Sequence, residues 1–468
     1  MKKRIIAIAA VGATTMIVLP ALPANAAAKV GQSCKKLGVV QNGLVCTAKG
    51  KKRVYAAVPK AAPTTAAAPG AAATPAPAAS GPAVVPGFDG KSINVTVLGN
   101  VSVNTAFPAS VNFATGGKAL FNGWKSYMSR INDAGGIAGK YKVNINFQET
   151  YYTPSEAVKA YAETKNNTVV YGMVYGTPLT QALEKSFGED NLTGSPVSLD
   201  AAWVKSPVYL PIGATYQGQA INLLDWYNKD GGGAGKNVCA LSLANNAYGN
   251  AGEEGFDFGA KALGIKVGGK FKTSTNAANA QQLKDANCDA VVITISGEAQ
   301  TPGLLAETAK LGYFPLFLGL APSFAVGTVV PANSAQFAKQ LIVASDGAQW
   351  GVENSVGMKQ HMADLRKYAP QEIGIPNPAT EWGYAQAQSV AALLEKAVAN
   401  GDLSKAGIRK ALATLGTVDL GGLYPNWNYS DPAGRIAPNI SNIYKVDISV
   451  RGGLDLLKPN FASSVVYK

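Results

Sequence analysis

The sequence of 468 residues has one histidine, four cysteines and no long apolar run after its first residues. The single histidine, His361, excludes histidine-rich metal motifs and argues against a Ser-His-Asp triad. Its neighbours Met358 and Leu365 predict a structural role on a surface helix. No later segment reaches the roughly 18 consecutive apolar residues that a membrane-spanning helix needs. We therefore expect neither an enzyme nor a membrane-embedded protein, and no cofactor or metal.

Residues 1–26 have the pattern of an export signal. A basic start is followed by an apolar stretch over residues 5–19 and a small-residue cleavage site, Ala24-Asn25-Ala26. The mature chain is thus predicted to begin at Ala27. Because the first cysteine, Cys34, does not directly follow the apolar stretch, no lipid anchor is expected. The protein is predicted to be secreted or to lie at the cell surface.

Acidic residues are missing between Ala27 and Phe88, where eight basic residues lie. Loss of the signal lowers the formal net charge from +13 to +10, which leaves only +2 for the chain after Phe88. Such a basic segment on an exported protein is suited to bind anionic cell-wall polymer or lipid headgroups, or to act as a solvated tail. A nucleic-acid partner is not expected.

The even number of cysteines in an exported chain predicts disulfides. Cys34 and Cys46 flank Asn42-Gly43, a hairpin-turn signal, so a bond there would hold together a module too small for its own core. Cys239 and Cys288 each lie at the start of an apolar run, and they meet if the two runs are neighbouring strands. For this second pair, two buried free cysteines are the alternative.

Composition divides the N-terminal part of the mature chain. Residues 27–58 form the basic cysteine module, and residues 59–86 form a linker rich in alanine and proline. This composition favours an extended spacer without secondary structure. The body of the protein is predicted to begin at Gly87.

A helix, a stop and a strand follow one another in SRINDAGGIAGKYKVNINFQE, residues 129–149. Gly135 and Gly136 can take the positive φ that ends a helix, and residues 143–148 alternate apolar and polar side chains as a strand does. A strand is also predicted over residues 93–98, so the segment completes half of a βαβ unit. The helix is predicted from apolar residues spaced by three and four, namely Ala119, Leu120, Gly123, Trp124, Tyr127, Met128 and Ile131.

Strands and helices then alternate in two successive blocks, with a pause near residues 207–216. This order predicts an α/β fold with two lobes, each built on a parallel sheet. Parallel sheets bind ligands beyond the carboxyl ends of their strands, so two such lobes can enclose a small molecule.

Three segments resemble one known family: residues 121–158, which contain the segment above, residues 246–267 and residues 381–397. They resemble type I periplasmic binding proteins, in the branch that binds branched-chain amino acids. The resemblance implies two Rossmann-like lobes joined by a three-strand hinge. Its implied boundaries are residues 87–212 and 346–435 for the first lobe, residues 213–345 for the second, and a C-terminal strand and tail over residues 436–468.

The same resemblance implies the function. Members of this family capture a small solute outside the membrane and deliver it to an ABC permease, without catalysis. The solute is expected to be a branched-chain amino acid or a related carboxylate or amide, and the protein is expected to be a monomer. A ligand sensor for a membrane receptor and a structural cell-wall protein are the alternatives.

Site residues follow from the family's pattern by position. The resemblance places an aromatic ring, a strand-to-helix turn and several strand ends against the solute: Phe113, Tyr175, Gly176, Thr177, Ser198, Tyr248, Ser296, Glu298, Gln349 and Trp350. Each has a plainer alternative. The turn can be only a turn, the rings of Phe113 and Tyr248 can be rim packing, Glu298 can be a solvated acid and Trp350 can fill the hinge.

One segment departs from the family. Relatives that bind amino acids carry an acid in the second-lobe loop that here reads GLAPSFAVG, which has none. A buried ammonium without a carboxylate partner is costly, so either Glu298 replaces that acid or the solute is not an α-amino acid.

Overall fold

The computed structural model describes residues 29–30, 32–34, 40–41, 44–49, 52–57, 81–103 and 113–467. The predicted signal peptide, the new N-terminus at Ala27 and most of the predicted linker lie outside these residues. The chain forms two compact units, residues 1–76 and residues 77–468. Residues 81–86 of the predicted linker already belong to the second unit, in which Val85 pairs with Phe88.

The first unit contains a small antiparallel sheet. Its strands are β1 (Val40–Gln41), β2 (Leu44–Lys49) and β3 (Lys52–Ala57). The predicted bond between Cys34 and Cys46 is present, with the two Cα atoms 6.0 Å apart. It joins β2 to the segment in which Ser33 pairs with Val54 of β3. The Asn42-Gly43 turn lies outside the described residues.

The first lobe of the second unit contains a parallel four-stranded sheet in the order β5-β4-β6-β7. Its strands are β4 (Ser92–Gly99), β5 (Lys142–Glu149), β6 (Val170–Tyr175) and β7 (Gly194–Val197). The helices of its first part are α1 (Ala114–Asp133), α2 (Pro154–Thr164) and α3 (Thr177–Glu189). The opening unit β4-α1-β5 therefore forms as the sequence predicts.

The second lobe contains a seven-stranded sheet. Its first five strands are parallel: β8 (Asn237–Ser242), β9 (Lys266–Lys272), β10 (Ala290–Thr294), β11 (Leu316–Leu320) and β12 (Leu341–Ser345). Helix α4 (Tyr216–Lys229) precedes β8, and the helices between the strands are α5 (Ala247–Leu263), α6 (Asn276–Asp285), α7 (Thr301–Lys310) and α8 (Pro331–Gln340). β8 and β10 are neighbours, and the predicted Cys239–Cys288 bond is present.

The chain then returns to the first lobe and finally to the second. The returning segment contains α9 (Val356–Tyr368), α10 (Gln371–Gly374), α11 (Ala379–Ala399), α12 (Lys405–Ala413), β13 (Thr417–Val418) and β14 (Trp427–Asn428). The last strands, β15 (Ser441–Val446) and β16 (Leu454–Phe461), add to the second sheet in antiparallel orientation. The chain thus passes between the sheets three times, which matches the three-strand hinge that the family resemblance implies.

Helices α1 and α11 touch backbone to backbone in the first lobe. A Cβ atom at Gly123 would lie 2.0 Å from the carbonyl oxygen of Thr380, and one at Gly383 would lie 1.8 Å from that of Leu120. Real Cβ atoms do not approach so closely, so only glycine allows this helix contact. Both helices begin at the same edge of the lobe, so this contact fixes their first turns relative to each other.

His361 differs from its prediction. The sequence favours a surface helix, but the side chain is fully buried on α9, with its ring centroid 5.0 Å from that of Tyr384. Burial lowers the pKa of His361 to about 3, so the ring is neutral. Over the described ranges, we find no helix that is both long and apolar enough to cross a membrane.

Candidate ligand-binding site

A cavity of about 590 Å³ lies between the two lobes. Its walls are formed at the carboxyl ends of the parallel strands of both sheets, where ligands bind in folds of this kind. The first lobe supplies the end of β6, the starts of α1, α3 and α11, and Tyr152 from the loop after β5. The second lobe supplies Tyr216, Tyr248, Glu298 and the loop after β11.

Six of the ten predicted site residues line this cavity. They are Phe113, Tyr175, Gly176, Thr177, Tyr248 and Glu298. The structure brings together residues from four separate segments of the chain, because each segment follows the end of a strand or begins a helix at the same cleft.

The other four predicted residues lie outside this cavity wall, and their polar atoms bind protein groups. Ser198 lies behind Thr177, and Ser296 accepts a hydrogen bond from the backbone N–H of Ala299. Gln349 donates to the carbonyl oxygen of Leu454, and the Trp350 indole donates to the Thr380 hydroxyl. Gln349 and Trp350 line a second cavity of only about 20 Å³.

Aromatic rings form much of the main cavity's wall, and several are additional to the predicted set. Tyr152 packs against Phe113 and Tyr175, with ring centroids 5.0 and 6.0 Å away. Tyr216 and Tyr248 form an edge-to-face pair 4.8 Å apart. The remaining large rings in the wall are Phe324, Trp382 and Tyr424.

Tyr152 is held by an uncommon backbone conformation. Tyr151 and Tyr152 have φ values of 50° and 58°, a region that residues other than glycine seldom occupy. The Tyr152 side chain reaches Gly176, where a Cβ would lie 2.4 Å from its ring, and its hydroxyl interacts with the Asn246 side chain of the second lobe. Such strained conformations concentrate at functional sites, where the surrounding structure enforces them.

The Thr177 hydroxyl is oriented by a chain of hydrogen bonds. The Trp203 indole, which can only donate, lies 2.8 Å from the Ser198 hydroxyl oxygen. The Ser198 hydroxyl is in turn 2.8 Å from that of Thr177. The Ser198 oxygen also accepts the backbone N–H of Asp200 at 3.4 Å, so both of its lone pairs are used. The Ser198 proton is then directed to the Thr177 oxygen, and the Thr177 proton is left for a group in the cavity. The arrangement therefore favours a solute that presents a hydrogen-bond acceptor.

Glu298 is the only cavity-lining residue with a charged side chain in the part of the chain that the structure describes. Its carboxylate accepts hydrogen bonds from the backbone N–H groups of Thr115 at 3.2 Å and Gly116 at 2.6 Å. Burial raises the pKa of Glu298, and these two hydrogen bonds oppose the rise. The loop that lacks an acid, GLAPSFAVG, lines the cavity with residues 321, 322 and 324–327.

Two buried acids lie at the hinge. Asp346 follows β12, and its carboxylate accepts a hydrogen bond of 2.5 Å from the backbone N–H of Ala214, which precedes α4. This bond joins two of the three hinge segments. Burial raises the pKa of Asp346 to about 7, and burial also raises the pKa of Glu381 well above its usual value.

The two-lobed fold with a cleft at the carboxyl strand ends agrees with a family comparison. The family model for periplasmic binding proteins matches residues 103–449, about three quarters of the chain. The chain belongs to the periplasmic binding protein family. Its members are solute-binding proteins, which agrees with a cavity between two lobes. A comparison with curated protein sequences finds no match.

Solved structures of other binding proteins are similar to this periplasmic binding protein. A fatty acid ABC transporter substrate-binding protein from Thermomonospora curvata has 22% identity and a TM-score of 0.73, covering 82% of this chain and 95% of its own. A branched chain amino acid ABC transporter protein from Thermus thermophilus, solved with bound valine, has 15% identity and a TM-score of 0.66, covering 80% and 98%. A possible leucine/isoleucine/valine-binding protein from Rhodopirellula baltica has 15% identity and a TM-score of 0.64, also covering 80% and 98%. At these identities the likeness establishes the fold.

Proposed function

We propose that this chain is an extracellular solute-binding protein that captures a mainly apolar carboxylate or amide and delivers it to an ABC importer. The observation that carries the proposal is the aromatic cavity between the lobes, where the one charged side chain among the described lining residues is already bound by protein N–H groups. Delivery to an importer is supported by the family and by the similar structures, which are named as ABC transporter components.

The body of the solute is expected to be apolar and larger than a branched-chain side chain. The wall consists mainly of aromatic and small apolar residues, and burying apolar surface there contributes about 25 cal/mol per Å². An apolar cavity of about 150 Å³ holds one benzene molecule. The cavity of about 590 Å³ is roughly four times as large.

The oxygen end of the solute is expected at the start of α3. The Thr177 hydroxyl has a proton for an acceptor, and Gly176, the residue before α3, provides no side-chain cap for the helix. The start of a helix favours negative charge. A carboxylate or an amide oxygen suits both features.

An α-amino acid fits this cavity less well. Its ammonium would need a carboxylate partner, but Glu298 is hydrogen-bonded to the first turn of α1. Among the similar structures, the protein from Thermomonospora curvata is named for fatty acids, whereas that from Thermus thermophilus holds valine. The contacts of Glu298 favour the first kind of solute here.

A comparison of three probes tests this function. Octanoate and octanamide should raise the melting temperature and give saturable heats in calorimetry, whereas leucine should bind far more weakly. If leucine binds more tightly than octanoate, the solute is an amino acid and our proposal is wrong about its class. If no small carboxylate, amide or amino acid stabilises the protein, solute capture itself is refuted.

Thr177→Val should weaken the binding of octanoate by about 1–3 kcal/mol, because the buried solute oxygen loses a donor. Thr177→Ser keeps the hydroxyl and is the matched control, with affinity close to that of the wild type. The structure adds a cost in stability, because the Ser198 hydroxyl loses its partner in the valine variant. Calorimetry of both variants measures the effect, and equal affinities would remove Thr177 from the site.

Deletion of residues 27–76 should leave the affinity for octanoate within about threefold, a change of less than 1 kcal/mol. The reason is that every residue of the cavity wall belongs to the compact unit over residues 77–468. For the basic module we propose binding to anionic cell-wall polymer instead. Calorimetry with octanoate on the full-length and the shortened chain checks the predicted affinity. A tenfold loss would show that the module takes part in solute binding.

A further inference from the structure

Helix α1 receives its N-terminal cap from the opposite lobe. The residue before the helix, Phe113, makes no side-chain cap, and the first turn contains no acidic residue. The N–H groups at a helix start need acceptors, and a carboxylate is a strong one. Here Glu298, which follows β10 in the second lobe, binds the N–H groups of Thr115 and Gly116, one with each oxygen.

We propose that Glu298 holds the cleft closed, and that this contact withholds its carboxylate from the solute and so removes it from charge selection. Its two hydrogen bonds exist only while the lobes are together, so they stabilise the closed form with or without a solute. The contact between Tyr152 and Asn246 also joins the lobes and acts in the same direction. The specificity part rests on the proposed function, whereas the closure part does not.

The effect on specificity follows from where the carboxylate is bound. A free carboxylate in the wall would attract an ammonium and repel a carboxylate. With Glu298 bound at α1, the wall offers neither effect, and the start of α1 is closed to a solute carboxylate. The uncapped start of α3, beside Thr177, is then the better place for the solute's oxygen end.

The effect on affinity follows from populations. The apparent dissociation constant of a solute rises as the fraction of the binding-competent form falls. Two charge-assisted hydrogen bonds shift the closed-to-open ratio by at least about tenfold. Removal of Glu298 should therefore weaken every solute by the same factor, whatever its charge.

Closure is tested without any solute by measuring the distance between two spin labels. The labels are attached at Lys159→Cys on α2 and Lys261→Cys on α5, both exposed positions in different lobes. The four native cysteines are all in disulfides and do not react. We expect mainly one short distance in the parent protein, a shift to longer distances in Glu298→Ala and an intermediate result in Glu298→Gln.

Two further variants keep the test decisive. Glu307→Ala is the matched control, because Glu307 pairs with Lys310 within α7 and does not join the lobes. Thr115→Pro removes one of the two N–H donors from the other side, at a helix position where proline is tolerated. It should open the cleft even if Glu298→Ala folds poorly. An unchanged distance distribution in Thr115→Pro and in a folded Glu298→Ala would overturn the proposal.

Octanoate and octanamide then test the specificity. Glu298→Ala should weaken both by a similar factor of about ten or more. Tighter binding of octanoate with unchanged binding of octanamide would mean that Glu298 faces the solute's charge, and would overturn this part. If neither compound binds to the parent protein, the proposed function fails, while the label distances still decide closure.

Discussion

Gly176→Ala should abolish measurable solute binding, with a loss of at least about a hundredfold. Gly176 has a φ of 95° and a ψ of 149°, a combination open essentially only to glycine, so an alanine there strains the backbone by about 1–3 kcal/mol. Its Cβ would also lie 2.4 Å from the ring of Tyr152, which must then move. The wall beside Thr177 and the contact with Asn246 are lost together. Calorimetry with octanoate and thermal unfolding measure the two effects.

Gly188→Ala is the matched control for this prediction. Gly188 lies in the same helix, α3, and no atom lies within 4 Å of the Cβ that alanine would add there. Alanine favours the helix by about 0.5–1 kcal/mol over glycine, so this variant should be slightly more stable and bind normally. Wild-type affinity in Gly176→Ala would mean that this turn is not part of the binding site.

Asp346→Asn should remove a pH dependence of the free energy of unfolding. In the wild type, Asp346 lowers this free energy by up to about 4 kcal/mol between pH 4 and pH 8. The pKa of Asp346 is raised from 3.8 to about 7 by burial. The folded state therefore holds this proton more tightly than the unfolded state. The contribution of Asp346 to the free energy of unfolding is most favourable below pH 4, and it falls as the pH rises to 7. Asparagine can still accept the hydrogen bond from Ala214 but does not titrate.

Denaturant unfolding of both proteins at pH 4 and pH 8 checks this. The relevant quantity is how much the difference between variant and wild type changes with pH, because any packing cost of asparagine is the same at both values. Asp447→Asn is the control. Asp447 lies on the surface, and hydrogen bonds from Ser449 lower its pKa, so its smaller effect has the opposite sign. A pH-independent difference for Asp346→Asn would mean that the carboxyl group does not hold its proton in the folded protein.

Much of the fold could be predicted because the evidence for it is local. Alternating strands and helices, the Gly135-Gly136 stop and the positions of Cys239 and Cys288 require only short stretches of sequence. Element ends were harder to predict. Helix α4 begins at Tyr216, already within the pause predicted near residues 207–216, because the Thr215 side chain accepts the N–H of Gly218. Strand β16 joins the sheet by antiparallel pairing with β15, and no short stretch of sequence indicates this pairing.

The residues of the site also divide into those that the local sequence indicates and those that depend on distant contacts. Tyr175 ends strand β6, and Gly176 and Thr177 follow it, so position alone indicates them. Tyr152 also follows a strand end, β5, and the same rule could have found it. Trp382 reaches the wall only because α11 packs on α1, and Glu298 finds its partners only across the cleft. These depend on contacts between residues far apart in the chain.

The glycine contact between α1 and α11 has a mechanical consequence. Because the two backbones touch at Gly123 and Gly383, with no side chains between them to yield, the pair is stiff. A displacement of Trp382, in the first turn of α11, should therefore also displace Thr115 and Gly116 in the first turn of α1. We therefore expect the two helices to move as one unit, so that a solute in contact with Trp382 also shifts the N–H groups that Glu298 binds.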